Sequence, residues 1–382
     1  MKILYDHQIF SYQKLGGISR YFFELLKGFD YNKEFSFEVG LKCTNNTYFK
    51  DFINTKESPY SIKKTIDDLF WGINFKGKNR LYNLYHRKII NNNQNYSSEL
   101  IQKGEFDIFH PTYYDTYFLD CIGNKPFALT VYDLTHEIYP ELFPSGDMTA
   151  TNKSILIDKA SKIFAISEQT KSDLIKFYNV EDEKIKVIYL GNSLNTDKQK
   201  KITLPRNYLL YVGTRKHYKN FTFFIKSALS ILHKNKEINI LCVGAEFSKH
   251  ELDFFTKNNI NNQIHQVEPS DCELAYIYSK AIAFIFPSLY EGFGIPILEA
   301  FSCACPVLLS DIPVFHEIAE DAARYFDPTD ISSLSSAINE IVYNNHLRKK
   351  LIEMGYKRNK HFSWKITAKE TFQEYAKILN HQ

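Results

Sequence analysis

The stretch FIFPSLYEGFGIPILEAFSCACPVLL, Phe284 to Leu309, reads as a buried strand, a glycine-containing loop, a helix and a second buried strand. The apolar run from Ala281 to Phe286 lacks polar alternation, the pattern of a parallel-sheet strand covered on both faces. Gly292 and Gly294 admit backbone angles closed to other residues. Pro296 suits the first helical position, where its missing N–H costs nothing. The amides from Gly292 to Ile295 are then expected at a helix N-terminus, a place that favours an anion. Glu291 is expected on the loop and Glu299 in the first turn of the helix, so two carboxylates bracket those amides. Together they can grip sugar hydroxyls while the amides hold phosphate. Taken alone, the spacing is better explained by a Glu that favours the helix dipole and a solvated loop Glu.

Working outward, 382 residues with 44% hydrophobic content can bury two sizeable cores. The net charge of +3 is too small to argue for nucleic acid, and no basic, aromatic-interleaved RNA-binding motif is present. Six cysteines stand at 43, 121, 242, 272, 303 and 305 without a C-x-x-C pair, which suits free thiols in a reducing compartment. Cys303 and Cys305 read as core packing, since no second Cys or His pair stands near them to complete a metal site. The opening MKILYDHQIF is strand-like and lacks the order of a signal peptide, and no apolar run reaches a bilayer-spanning length. The expected place is the cytoplasm, with any membrane contact peripheral, on the inner face of the cell membrane.

In chain order, Lys2 to Asp6 reads as a strand leading to Gly16-Gly17 and the helical pattern ISRYFFELLKGF. That turn either cradles a phosphate or closes a tight bend. Between 60 and 90 stand Lys63, Lys64, Lys76, Lys78, Arg80, Arg87 and Lys88, interleaved with Phe70, Trp71, Phe75, Tyr82 and Tyr85. Such a mixture suits a surface that leans on anionic lipid or receives a lipid-diphosphate acceptor. The simpler reading is a solvated helix pair with aromatic core residues. FDIFHPT and PFALTVYDLT read as buried strands whose polar ends carry His110, Thr112, Asp133, His136 and Glu137, where open α/β sheets place their sites. A lone His there is more often structural than catalytic. The polar tract 196–206 reads as a linker. Beyond it the strand YLLYVG ends at Gly213, followed by Arg215 and Lys219, two cations able to neutralise a diphosphate or to sit on a solvated turn.

EGFGIPILEA, then CPVL and SDIPVFHEIAEDAARYFDP from Ser310 to Pro328, resemble the donor-binding segment of retaining family 4 glycosyltransferases. GGISRY and TVYDLTHEIYPELF resemble the N-terminal loop and the acceptor-side segment of the same family. The resemblance implies the GT-B fold, an α/β architecture of two Rossmann-like doubly wound parallel-sheet domains. The implied division is an acceptor-side domain over 1–195, a linker over 196–206, a donor-binding domain over 207–362, and a C-terminal helix over 363–382 returning to the first domain. It further implies that Glu291 contacts the transferred sugar and that Glu299 contacts the ribose. Arg215 and Lys219 would bind the diphosphate, with Gly213, Val267 and the Gly292, Phe293, Gly294 and Ile295 backbone lining the donor. On the acceptor side the implied residues are Gly16, Gly17, His110, Asp133 and His136. The family commonly has His-Asp where this chain has Tyr132-Asp133, and often Gly where it has Ala304.

The implied activity is metal-independent, anomer-retaining transfer of a mannose-like or deoxy-hexose sugar, with a GDP-sugar favoured, to a growing surface glycan or lipid-linked acceptor. No cofactor beyond the substrate is implied. Two other readings share the nucleotide pocket: a nucleotide-sugar epimerase, which would convert donor without acceptor, and a non-catalytic binding relative. An oxidoreductase is disfavoured because the first turn lacks G-x-G-x-x-G.

Overall fold

In the computed structural model, which describes residues 1–32, 34–54, 78–194, 196–215 and 217–380, the chain divides into two compact units. Unit 1 comprises Met1–Ile166, Thr170–Tyr189 and Trp364–Gln382; unit 2 comprises Ser167–Gln169 and Leu190–Ser363. The tract 196–206, read from sequence as a linker, is thus counted within unit 2. There the Lys200 amide donates to the Cys272 carbonyl at 3.0 Å, and its ammonium pairs with Glu273 at 2.7 Å. Polarity marked an exposed segment, and the connection itself falls earlier, at 189/190.

In unit 1 the strands are β1 (Lys2–Tyr5), β2 (Ser36–Val39), β3 (Ile108–His110), β4 (Ala128–Val131), β5 (Lys162–Ala165) and β6 (Ile185–Val187). They form two parallel three-stranded sheets, β2-β1-β3 and β4-β5-β6, with one parallel bridge from Phe109 to Phe127 between β3 and β4. β1 is entirely apolar after Lys2, and β4 has all four residues buried, as two-sided cover requires. The helix Trp364–Asn380 packs on the helix Gly17–Gly28. Gly28 permits this: a Cβ there would lie 2.5 Å from the Ala368 Cβ.

A buried polar chain ties that C-terminal helix to the sheet. The Tyr375 hydroxyl lies 3.0 Å from the Tyr5 hydroxyl and 2.5 Å from His110 Nδ1. His110 Nε2 meets Thr130 Oγ1 at 2.9 Å, and Thr130 Oγ1 meets the Tyr21 hydroxyl at 3.2 Å. Every member is buried, so each hydrogen bond replaces water that cannot reach it. His110 has no exposed surface, and burial lowers its pKa to about 3.

Unit 2 holds one six-stranded parallel sheet built from β7 (Tyr208–Val212), β8 (Asn239–Val243), β9 (Ile264–Val267), β10 (Ala283–Phe286), β11 (Val307–Ser310) and β12 (Arg324–Phe326). The order is β9-β8-β7-β10-β11-β12. Counted from the first strand of the unit, this is 3-2-1-4-5-6, the doubly wound order whose direction reverses between β7 and β10. The α/β fold class read from the sequence is borne out in both units. β10 and β11 are fully buried, and the core around them gathers Leu209, Phe224, Ile225, Ile240, Ile285 and Leu308.

The helix Ile295–Ser302 opens one residue earlier than Pro296, which places Glu299 in its second turn and not its first. Its far end closes as a Schellman motif: the Cys305 amide donates to the Ala300 carbonyl at 2.9 Å and the Ala304 amide to the Phe301 carbonyl at 3.3 Å. Ala304 therefore sits at φ +55°, a left-handed conformation that costs a non-glycine residue about 1 kcal/mol. It is exposed, at the opposite end of the helix from Gly294, so the departure from glycine is a matter of backbone conformation. Cys303 and Cys305 are buried free thiols, and burial pushes the Cys303 thiol up to about 11.

His110 provides a test of the unit 1 core. Folded, it resists protonation down to about pH 3, whereas the unfolded imidazole titrates near its ordinary value of about 6.5. The unfolded chain therefore binds the extra proton between those values, and stability falls as pH drops from about 6.5, by up to about 1.4 kcal/mol per pH unit from this group. Denaturant melts across pH 4–7 should give a shallower pH slope for His110→Asn than for the wild type. Equal slopes would show that His110 is not buried neutral.

Candidate functional site

The chemistry of unit 2 concentrates where the strand order reverses. The loops after β7 and β10 leave the sheet side by side there, and the Leu289 amide donates to the Tyr218 carbonyl at 2.8 Å to join them. β7 is followed by Gly213, with φ +127°, and its neighbour β8 by Gly244, with φ +143°. A Cβ on Gly244 would lie 2.9 Å from the Gly213 carbonyl oxygen, so the close approach of these strand ends needs glycine. The sheet ladder runs on through both: the Gly213 amide donates to Val243 O and the Gly244 amide to Val267 O. Val267 is the last residue of β9.

Among the described residues Arg215 and Lys219 follow β7, and their surroundings differ. Arg215 is nearly buried. Its Nε donates to Glu251 Oε1 at 2.5 Å and its Nη2 to the Glu246 carbonyl at 2.7 Å, while the guanidinium lies 4.8 Å from the Phe247 ring centroid and 5.6 Å from that of Phe221. Glu251 also accepts from Ser248 in a capping box that starts the helix Lys249–Lys257. Burial raises the Glu251 pKa, but the hydrogen bonds from Arg215 and Ser248 outweigh it and hold the carboxyl below its ordinary value. Lys219, by contrast, pairs with Glu291 across the two loops, Nζ to Oε1 at 2.5 Å, and the same oxygen accepts from Ser288 Oγ at 2.7 Å. The Lys219 ammonium lies 5.1 Å from the Tyr218 ring centroid and 5.9 Å from that of Phe286. Asn220, the residue before the helix Phe221–Lys234, sits at φ +56° with no side-chain cap, and its side-chain Nδ2 donates to the Pro328 carbonyl.

Beyond Glu291 the chain enters its turn. The Gly292 carbonyl accepts from Ser167 Oγ at 2.7 Å. Phe293 is buried against Phe362, with ring centroids 5.9 Å apart. Gly294 takes φ +108° and ψ 50° as the residue that caps the helix Ile295–Ser302. A Cβ at that position would approach Ile297 Cδ1 to 3.0 Å and Phe315 Cε1 to 3.3 Å in a backbone conformation L-residues rarely adopt. One turn into the helix, Glu299 is only 6% exposed and accepts from the Tyr278 hydroxyl at 3.1 Å. A carboxylate so oriented by a buried phenol is more than a solvated helix residue.

The structure thus brings Gly213, Arg215, Lys219, Glu291, Gly292, Phe293, Gly294, Ile295 and Glu299 onto adjoining loops and one helix of unit 2. Sequence reasoning missed Glu251 and Ser288. The Ser248-x-x-Glu251 spacing announces a helix start, but nothing in it points to Arg215, 36 residues away.

In unit 1 the expected acceptor-side residues are divided. Gly16 precedes and Gly17 opens the helix Gly17–Gly28, and nothing lies within 4 Å of a Cβ placed on Gly17. Asp133 Oδ1 accepts from the Thr135 amide at 2.9 Å. Beneath it the fully buried Lys153 donates to the Asp133 carbonyl at 2.9 Å and to Glu137 Oε2 at 3.0 Å. His136 stacks on Phe143 with centroids 3.7 Å apart, and its Nε2 lies 3.9 Å from Asp147 Oδ1. Burial, followed by the Lys153 charge, lowers its pKa. His110 does not belong with them. Its ring faces Tyr5, Phe22, Phe164 and Tyr375, so the expectation of a substrate-facing His110 is replaced by a core role. Tyr132 is buried against Tyr21 and Tyr114. In the basic stretch, Lys63, Lys64 and Lys76 lie outside the described residues, as does the side chain of Lys78; Arg80, Arg87 and Lys88 are exposed on the helix Lys78–Lys103. Among the described residues no cluster of three or more His, Cys, Asp or Glu is placed to hold a metal, and no helix is long and apolar enough to cross a membrane.

Two doubly wound units of this kind define the GT-B class. The fold is shared over nearly the full chain with solved structures: sucrose-phosphate synthase of Thermosynechococcus elongatus, at TM-score 0.73 and 17% identity, covers 100% of this chain and 99% of its own. Anabaena HepE, solved with UDP and glucose, matches at TM-score 0.70 and 15% identity over 98% of this chain and 99% of that one. Residues 193–358, lying within unit 2, match the family described as glycosyl transferases group 1. Among curated proteins, the chain is 33% identical over 217 residues to the O-antigen chain mannosyltransferase RfbU of Salmonella typhimurium, covering 56% of this chain and 60% of that protein. It is 27% identical over 265 residues to O-antigen chain mannosyltransferase B of Escherichia coli, covering 64% of this chain and 69% of that one. The chain spans about three fifths of the length of the first of these relatives.

Proposed function

We propose that the protein is a retaining, metal-independent glycosyltransferase that moves a mannose-like sugar from a nucleotide-sugar donor, GDP-linked, onto a growing surface glycan or its lipid-linked precursor. The observation that carries this reading is the meeting of Lys219 with Glu291 at the strand-order reversal of unit 2, beside a helix N-terminus and the oriented Glu299. Departure of a nucleoside diphosphate builds negative charge on phosphate oxygen and positive character on the sugar ring. Fixed positive groups are needed at the former, and they act without reorganising as the charge develops. Lys219 supplies an ammonium on a flexible stem, Arg215 a planar guanidinium, and the turn at Gly292 to Ile295 the positive end of a helix dipole. Glu291 contacts the sugar and Glu299 the ribose, while the base lies by the end of β9 near Val267. On unit 1, Gly16, Gly17, Asp133 and His136 serve the acceptor. The names of the mannosyltransferase relatives support the sugar.

In this reading Lys219→Ala lowers turnover by at least roughly a hundredfold, because the developing diphosphate charge goes unmatched. Glu299→Gln, which keeps a partner for Tyr278, weakens nucleotide affinity about tenfold with less effect on the fold. A thermal-shift panel of GDP, UDP, ADP, CMP and dTDP with their sugar conjugates, followed by kinetics with the stabilising donor, checks both. Near-normal kinetics for both variants would remove the site assignment.

A peripheral membrane role has its own support. Arg80, Leu84, Arg87 and Lys88 are all exposed on one helix at spacings of four, seven and eight residues, which places them on one face. That face combines cations with an apolar side chain, as an anionic lipid surface requires. The protein is expected to sediment with phosphatidylglycerol-containing vesicles and not with neutral ones, and Arg80→Glu with Arg87→Glu should abolish the difference. Equal recovery with both vesicles would end this reading.

A further inference from the structure

The two cations of the unit 2 site are held in different ways, and the difference has a consequence for which ligands the site retains. Arg215 is fixed by Glu251, by the Glu246 carbonyl and by two aromatic rings, with its side chain only 8% exposed. No ligand has to rearrange it. Lys219 is held by Glu291, which the proposed function puts at the sugar, and the two side chains are 19% and 13% exposed. A diphosphate that engages Lys219 must meet or displace the Glu291 carboxylate, since the two anions repel each other at one ammonium in a partly desolvated setting.

Resting on that reading, we infer that Glu291 is an internal competitor for the diphosphate: it occupies Lys219 when the site is empty and is transferred to the hydroxyls of the donor sugar when a nucleotide-sugar binds. With the intact donor, the displaced carboxylate gains hydroxyl donors, and Ser288 Oγ still steadies its Oε1 oxygen. With the bare nucleoside diphosphate, the carboxylate loses Lys219 and finds no sugar, or stays and opposes the β-phosphate. The diphosphate is the product, so the pair penalises product relative to donor and favours its release. The same exchange leaves Glu291 positioned at the sugar only when a sugar is there.

The prediction runs against ordinary expectation for a residue of the site, because removing the Glu291 charge should strengthen one ligand. Titration calorimetry of the full chain with GDP and GDP-α-D-mannose, and in parallel with UDP and UDP-glucose, reads the effect on the base pair that binds. Glu291→Gln should bind the bare diphosphate about tenfold more tightly than the wild type does, bind the nucleotide-sugar no more tightly, and turn over more slowly. Lys219→Met should weaken the diphosphate, and in the double variant the gain from Glu291→Gln should vanish. If Lys219→Met weakens the diphosphate but Glu291→Gln changes both ligands by the same factor or weakens the diphosphate, the competitor role is wrong and the donor site stands. If Lys219→Met leaves both affinities unchanged, the donor-site assignment falls and this inference with it.

Discussion

Gly294 lies at φ +108° and ψ 50°, and the candidate site depends on that one backbone conformation. It lets the chain leave β10, pass Glu291 and enter a helix whose N-terminus faces the same side of the sheet. A side chain there would press on Ile297 and Phe315, which belong to the core beneath. With the turn set, Glu291 comes within reach of Lys219 from the adjoining loop and Glu299 is carried inward to Tyr278. The strand order makes the two loops neighbours, and the glycine makes their side chains meet.

The electrostatics of the site follow from how each charge is partnered. Arg215 is immobilised by a carboxylate that is itself committed to a helix cap, so its position is independent of ligand. Lys219 is held by Glu291, for which we propose a role in binding, and on that reading its position is conditional. Under the proposed function, one fixed and one exchangeable cation would let the site orient a diphosphate and still distinguish donor from product. Arg suits the first task because its planar fork loses little freedom when bonded, and Lys suits the second because it acts as a point charge on a flexible stem.

Much of this was legible in the sequence, for identifiable reasons. The uninterrupted apolar runs of β10 and β11 announce two-sided burial, and Gly-Phe-Gly-Ile-Pro announces the turn and helix start. Local signals failed where a partner is remote. His110 ends a strand in the manner of a site residue, but Tyr375, 265 residues away, draws it into the core. Glu251 carries the mark of a helix cap and none of its bond to Arg215. Glu299 was placed one turn early because the helix begins at Ile295, ahead of the proline. The tract 196–206 reads as a linker because polarity reports exposure, whereas unit membership rests on contacts such as Lys200 to Cys272.

The central claim is that a nucleoside diphosphate binds unit 2 at the strand-order reversal, with its phosphates at Lys219 and at the start of the helix Ile295–Ser302. A crystal structure of the protein grown with GDP tests it most directly. The account predicts phosphate oxygens within hydrogen-bonding distance of Lys219 Nζ, the ribose against Glu299, and the Lys219–Glu291 contact opened. A nucleotide seated elsewhere on the chain, or one bound here with Lys219 still paired to Glu291 and turned away from the phosphates, would contradict it.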